Sequence, residues 1–392
     1  MALLFTRDVK VVLGDPANTN YWEIPVLDGY SFSQAINSTE ITVNEAGKFS
    51  RRARLLFNDA LAPVEWSFST YARPQTATAD WNQSPPNSPP LANDLPYARA
   101  VEEALWGMFC GADTYTNGIF SNSAYASSNT INAFSDNEQI GGTSGSPVII
   151  PATTRTNTFD FSKSNVSSFA AGWTLQFQYP GKNYQLNDVV ITSVTMDFDI
   201  DGIATLQWSG FARNIEEANA SAVSITEINV GDTASFIRNR ISTVDLQRSD
   251  VSPVTPYTII LTGGSITLEN NITYLTPEEL GKVNQPIANI TGSRSISGNL
   301  TCYLDTTASR SSSLFNALVA DTETVRNQFD MGINVGGADN PSVVFDLPQA
   351  HLEIPVINVE DLLTLDIAFH GQTSGGDVDK TDEMTVIYNS AA

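Results

Sequence analysis

The sequence predicts a mainly β protein built from two tandem β-sandwich or β-barrel domains, each with a flanking α-helix. Three observations carry this. Thr, Ser, Val, Ile, Phe and Tyr are plentiful while charged residues make up only 16% of the 392 residues, a usage that suits pleated, half-buried surfaces better than exposed helices. Short apolar runs are broken throughout by Gly, Asn, Asp and Pro, as strands are by turns. The chain also matches itself without gaps at an offset of 234 positions, the mark of a duplicated unit.

In the first unit, strands are expected near 30–42 and 62–72, where Trp66 and Phe68 alternate with Glu65, Ser67 and Ser69. An amphipathic helix near 97–110 puts Val101, Ala104, Leu105, Met108 and Phe109 on one face. Between strand and helix, Asn82 to Pro90 holds four prolines and reads as a stiff, extended loop. Residues 114–188, rich in Ser, Asn, Thr and Gly, read as a loop-rich insertion. Strands near 190–201 and 203–213 close the unit.

The second unit repeats this order. Strands near 258–272 and 294–305 precede a helix near 312–327, which carries Leu314, Phe315, Leu318 and Val319, and strands near 348–358 and 362–371 follow. Ser31-Phe32-Ser33 falls on Ser265-Ile266-Thr267, and Glu45-Ala46-Gly47-Lys48 on Glu279-Leu280-Gly281-Lys282. The closing strands Ala204 to Gly210 and Leu363 to Gly371 also resemble each other. A polar, proline-punctuated junction at Arg248 to Pro253 divides the chain into domains 1–250 and 251–392.

The strands have two unlike faces. In Thr195 to Asp201, side chains alternate, so Met196, Phe198 and Ile200 are expected on the core side and Asp197, Asp199 and Asp201 on a wet side, because ionised carboxylates are too costly to bury unpaired. Ile266 and Leu268 likewise oppose Glu269, and Leu365 and Ile367 oppose Asp366. These wet faces are nearly free of Lys and Arg. An ordinary solvated antiparallel sheet gives the same pattern.

The formal charge of −23, from 43 acids against 20 bases, argues against a surface that grips phosphates. It suits either plain solubility or a surface past which nucleic acid slides. Cys110 and Cys302, in a helix and a strand, are expected to be buried and unpaired. Met1 to Phe5 is too short and too soon followed by Arg7 and Asp8 to read as a signal peptide, and no apolar run reaches membrane-spanning length, so folding in a reducing cytoplasm is expected.

With Gly264 to Ile272, Ile296 to Leu304, the Ile191 to Gly210 hairpin and Tyr30 to Thr70 in view, the chain resembles the tail tube proteins of tailed bacteriophages. The resemblance implies a structural virion protein, without cofactor or catalysis, whose domains form stacked six-domain rings. Their inner sheets merge into a barrel around a bore that conducts DNA during ejection. Two domains per chain then imply a homotrimeric, pseudo-hexameric ring. Lumen-lining candidates are Asp197, Asp199, Asp201, Glu65, Glu269 and Asp366. The resemblance also implies a loop from Thr42 to Arg54 that contacts the neighbouring ring, with Lys48, Arg51, Arg52 and Arg54 as its candidates. Implied partners are further copies of the chain, tape-measure protein and DNA in the lumen without specific binding, tail-tip or baseplate and terminator proteins, and in contractile tails a sheath.

Other functions fit less well. Gly141 to Pro147 resembles the serine loop of trypsin-like proteases, but the only histidines, His351 and His370, lie downstream, in the wrong chain order. Asp197, Asp199 and Asp201 are neighbours on one strand instead of two acids across a cleft, and the glutamate that completes a calcium-binding loop is absent. Gly263-Gly264 lacks the lysine of a phosphate-binding loop. A tail-tip, hub or terminator protein and a β-sandwich adhesin are the alternatives that share the same pattern.

Overall fold

The computed structural model describes residues 8–42, 54–77, 97–116, 118–124, 130–135, 139–140, 148–149, 156–164, 168–218, 235–250, 255–320, 327–337, 341–359, 361–374 and 381–390. Its centre is one antiparallel sheet to which both halves of the chain contribute. The strands that matter here are β1 (Ser31–Thr42), β2 (Arg54–Tyr71), β3 (Val190–Asp199), β4 (Thr205–Ala212), β5 (Leu261–Glu269), β6 (Ser295–Tyr303), β7 (Val356–Val359) and β8 (Leu363–Gly371). Their spatial order is β1-β2-β4-β3-β5-β6-β8-β7. The first four and the last four are thus wired identically, first–second–fourth–third, and the two modules meet where β3 pairs with β5.

The sheet does not end in a second flat edge beside β8. Ser342–Leu352 pairs with β8 only through Ala350, His351 and Leu352. Its earlier residues pair with Phe329–Val335 and with the last strand, Thr385–Asn389. Thr243–Arg248 and Thr255–Thr258 extend this outer part. Val244, Leu246, Phe329, Met331, Ile333 and Phe345 share one buried cluster with Ile266, Leu300 and Ile367 of the central strands, so the sheet folds over its own apolar side. Closing that side stabilises the fold by about 1.5–3 kcal/mol for each large side chain fully removed from water.

The helices cover the same apolar side. In the first half, Tyr97–Ala100 is a short strand and the helix α1 runs only over Glu103–Phe109, so Val101 of the expected apolar face lies in the turn before it. Trp106 of α1 packs edge-on against Trp208 of β4 at 5.0 Å between ring centres, and the Asn270 side chain donates to the carbonyl of Phe109 at 3.1 Å. The second helix, α2 (Ser311–Ala320), buries Leu314 and Leu318. The Ser311 hydroxyl ties its start to the carbonyl of Tyr303, at 2.7 Å.

Residues 114–188 carry strands as well as loops. Thr174–Tyr179 and Lys182–Asn187 form a tight hairpin inside a five-stranded sheet that also takes Lys10–Gly14, Tyr21–Ile24 and Asn214–Ala218. The turn between them needs Gly181, at φ +80°. Thr156–Asp160 pairs with Thr385–Asn389, so the insertion of the first half is stitched to the last strand of the second. Both cysteines are buried and free. Among the described residues no helix is long and apolar enough to cross a membrane.

Candidate assembly surface

The side of the central sheet away from the core is polar from β2 to β8. Register places Asp197 opposite Thr205 on one flank and Ser265 on the other. Following the ladders outward, Gln207, Ser67, Ser69 and Glu65 lie on this face in the first module. Thr267, Glu269, Ser297, Asn299, Thr301 and Asp366 continue it in the second. Each of these positions is exposed or half-buried, while their neighbours Met196, Leu206, Ile266 and Leu300 are fully buried. Strand alternation alone produces this division, because a residue's neighbours along the strand point the other way.

Asp197, Asp199, Glu65, Glu269 and Asp366 therefore share one face that runs across both modules. No Lys or Arg occurs in β3, β4, β5, β6 or β8. Three of these acids make hydrogen bonds to neutral groups. The Gln207 amide donates to Asp197 at 3.4 Å. Asp366 accepts from the Thr301 hydroxyl at 2.8 Å and from the Asn358 amide at 2.6 Å. Asp199 accepts the backbone N–H of Gly202 at 2.6 Å and so caps the β3–β4 turn.

Two expectations differ at the end of β3. The strand stops at Asp199, so Ile200 is 44% exposed instead of packing with Met196 and Phe198. Asp201 belongs to the turn, where Arg240 approaches it at 3.8 Å. Gly202 lets the chain reverse there, and the reversal ends the alternation that would have carried Ile200 inward. Lys48, Arg51 and Arg52 lie outside the described residues, as does the Gly141 to Pro147 segment. Arg54, at the start of β2, pairs at 3.1 Å with Glu40 on β1 of the same hairpin.

Two further residues belong to the polar face, Glu353, which alternation between Leu352 and Ile354 marks as outward, and His370, which was not among the lumen-lining candidates. Glu353 follows Ser342–Leu352, and His370 on β8 contacts it at 3.0 Å through Nε2. His370 stands opposite Ser297 on one flank and His351 on the other. The available signal was the position of His370, four residues beyond Asp366 on the same strand and so on the same side.

The sheet's outermost strands are open. Among the described residues β1 pairs only with β2, and β7 only with β8. Exposed apolar side chains gather at both ends: Ile354, Val356, Ile357 and Val359 at one, Ile36, Ile41, Leu55 and Phe57 at the other. An unpaired edge with apolar side chains is a template for pairing with another chain.

Fold and surface together define a class: a two-module β protein with a single extended sheet, an acidic face whose strands β3, β4, β5, β6 and β8 carry no Lys or Arg, and outer strands unpaired among the described residues. The comparisons agree. The chain belongs to the phage tail tube proteins, since a family model described as Phage tail tube protein matches residues 76–371. It is also similar to tail tube protein pb6 of Escherichia phage T5, at 29% identity over 403 residues, covering all of this chain and 76% of the relative. As a member of that family it is a structural protein of the virion tail.

Proposed function

We propose that this chain is the repeating unit of the tail tube wall, that three copies close into a ring of six modules, and that the acidic face lines the bore. The observation that carries the reading is the wiring of the central sheet: two identical modules already joined edge to edge, with equivalent edges left open. Completing the ring removes those edges, which is the physical gain of a closed barrel over an open sheet. Stacked rings form the conduit.

The bore acts passively. Asp197, Glu269, Glu65 and Asp366 repel a phosphate backbone, and strands β3, β4, β5, β6 and β8, without Lys or Arg, offer DNA no site to hold it. Tape-measure protein fills the same bore before ejection, and tip and terminator proteins meet the first and last rings. The experiment that tests the reading is negative-stain microscopy of the purified chain, alone and with a tail-tip initiator. Hollow filaments are expected. A single ring that never elongates identifies a tip or terminator protein, and a discrete oligomer without a channel identifies an adhesin.

A further inference from the structure

The two modules share their wiring, and near the ends of their ladders the correspondence extends to single residues. The β2–β4 ladder ends at Tyr71 opposite Thr205, followed by a hydrogen bond from the Ala72 N–H to the Ala204 carbonyl at 2.9 Å. The β6–β8 ladder ends at Tyr303 opposite Thr364, followed by the Leu304 N–H to the Leu363 carbonyl at 2.9 Å. Thr205 therefore corresponds to Thr364 and Tyr71 to Tyr303, so β2 and β6 match at an offset of 232, and the match expected to run gap-free at 234 holds only for β1 and β5.

Side chains confirm the alignment. Asp197 accepts from Gln207 across β3–β4, and the corresponding pair across β7–β8 is Asn358 donating to Asp366, the same contact with donor and acceptor exchanged. The Ser31 and Ser67 hydroxyls meet at 2.9 Å across β1–β2, and the corresponding Ser265 and Asn299 meet at 2.7 Å across β5–β6. Met196 thus corresponds to Ile357, Thr195 to Val356, Ile266 to Phe32 and Thr267 to Ser33.

At the junction inside the chain, Met196 stands opposite Ile266 and Thr195 opposite Thr267, whose hydroxyls are 3.2 Å apart. Both Met196 and Ile266 are fully buried. Phe198 also lies over Gly264 there: a Cβ on the glycine would come within 2.7 Å of its ring. At the open edges, Phe32, the counterpart of Ile266, is half-buried and stacks on Phe177 at 4.5 Å between ring centres, whereas the counterparts on β7 are uncovered. Ile357 is 43% exposed and Val359, in the place of Phe198, is 80% exposed.

We infer that β7 of one copy pairs antiparallel with β1 of the next in the register of the β3–β5 junction, with Ile357 opposite Phe32, Val356 opposite Ser33 and Asn358 opposite Ser31. The inference rests on the tube reading and specifies the contact that reading needs. The occupant of the edge is a second copy, because the surface that fits it is already displayed inside each chain. The contact between copies carries Asn358 where the contact within a chain carries Asp197, so the polar face is less acidic at every second junction.

Paired cysteines test the register. Ser33→Cys with Val356→Cys replaces the counterparts of Thr195 and Thr267, whose side chains touch, and the native cysteines are buried and remote from oxidant. Under oxidation after assembly, this variant is expected to run as disulfide-linked dimers and trimers on a denaturing gel. Ser31→Cys with Asn358→Cys should behave alike. Ser31→Cys with Val356→Cys, two positions out of register, should stay monomeric. Microscopy of the reduced variants separates the possible failures. Tubes in which the in-register pairs fail to link, or the shifted pair links instead, overturn the register and leave the tube reading standing. Wild-type protein that forms neither rings nor tubes with an initiator overturns the tube reading and the register with it.

Discussion

Glu102 offers a quantitative test of how the two halves are held together. It sits just before α1, fully buried, and accepts a hydrogen bond from the hydroxyl of Tyr388 on the last strand, 286 residues away. Trp106 donates its indole N–H to the same hydroxyl at 2.9 Å. Burial pushes the Glu102 carboxyl from 4.5 up to about 8, against the opposing effects of Tyr388 and, more weakly, of Arg73. The folded protein therefore keeps a proton that the unfolded chain releases above pH 4.5. Below that pH both states are protonated and nothing is lost. As pH rises from 4.5 to 8 the unfolded state is favoured progressively, and above 8 the loss is complete. Between pH 5 and pH 8 this group alone removes about 3–4 kcal/mol of stability, at about 1.4 kcal/mol per pH unit. Glu102→Gln keeps the acceptor for Tyr388 and cannot ionise. Urea unfolding of unassembled protein at both pH values measures the effect. The wild type is expected to lose that much more than the variant over the interval, with the variant itself offset at pH 5 by the unpaired amide N–H. Parallel stability–pH curves for the two proteins would refute the assignment of a neutral, buried Glu102.

Two further expectations concern the sheet itself. Met196→Ala, at the junction inside the chain, should destabilise the unassembled protein by about 2–5 kcal/mol, whereas Ile357→Asp, at the corresponding open edge, should leave its unfolding curve nearly unchanged and abolish tube formation; calorimetry and microscopy of both variants check this. Replacing Glu65, Asp197 and Glu269 by Lys should leave rings intact, because all three are exposed, and impair genome delivery in a complementation assay by giving DNA cations to bind; normal infectivity would remove the support for their place in the bore.

Much of this architecture is legible in the sequence because it rests on a period of two. Thr195 to Asp199 and Ser265 to Glu269 announce both their strands and their wet faces by alternation. The length of β2 was not legible. The strand expected near 62–72 begins at Arg54 instead, and Pro63 is tolerated inside it because the ladder slips between Gln34–Val64 and Ile36–Leu61, where no N–H is required of it. The Gln34 side chain takes up the Ala62 carbonyl in that gap, at 3.0 Å. The hairpin Thr174–Tyr179 and Lys182–Asn187 was hidden by its Gln and Asn content, which reads as loop until cross-strand partners such as Gln176 and Gln185 are brought together at 3.2 Å. The joining of β3 to β5 is non-local and leaves no local trace. Once the two modules are aligned, however, the pairing of Thr195 with Thr267 is the kind of threonine pair that stabilises adjoining strands. Glu102 and Tyr388 show the same limit: neither residue's surroundings in the chain hint at the other.

A near-atomic reconstruction of the assembled protein by electron cryomicroscopy tests the central claim most directly. The account predicts a hollow tube whose innermost layer is the eight-stranded run repeated around the axis, with Asp197, Glu269 and Asp366 pointing into the channel and β7 hydrogen-bonded to β1 of the adjoining subunit. A tube in which these carboxylates face outward, or in which those two strands end up apart, would contradict it.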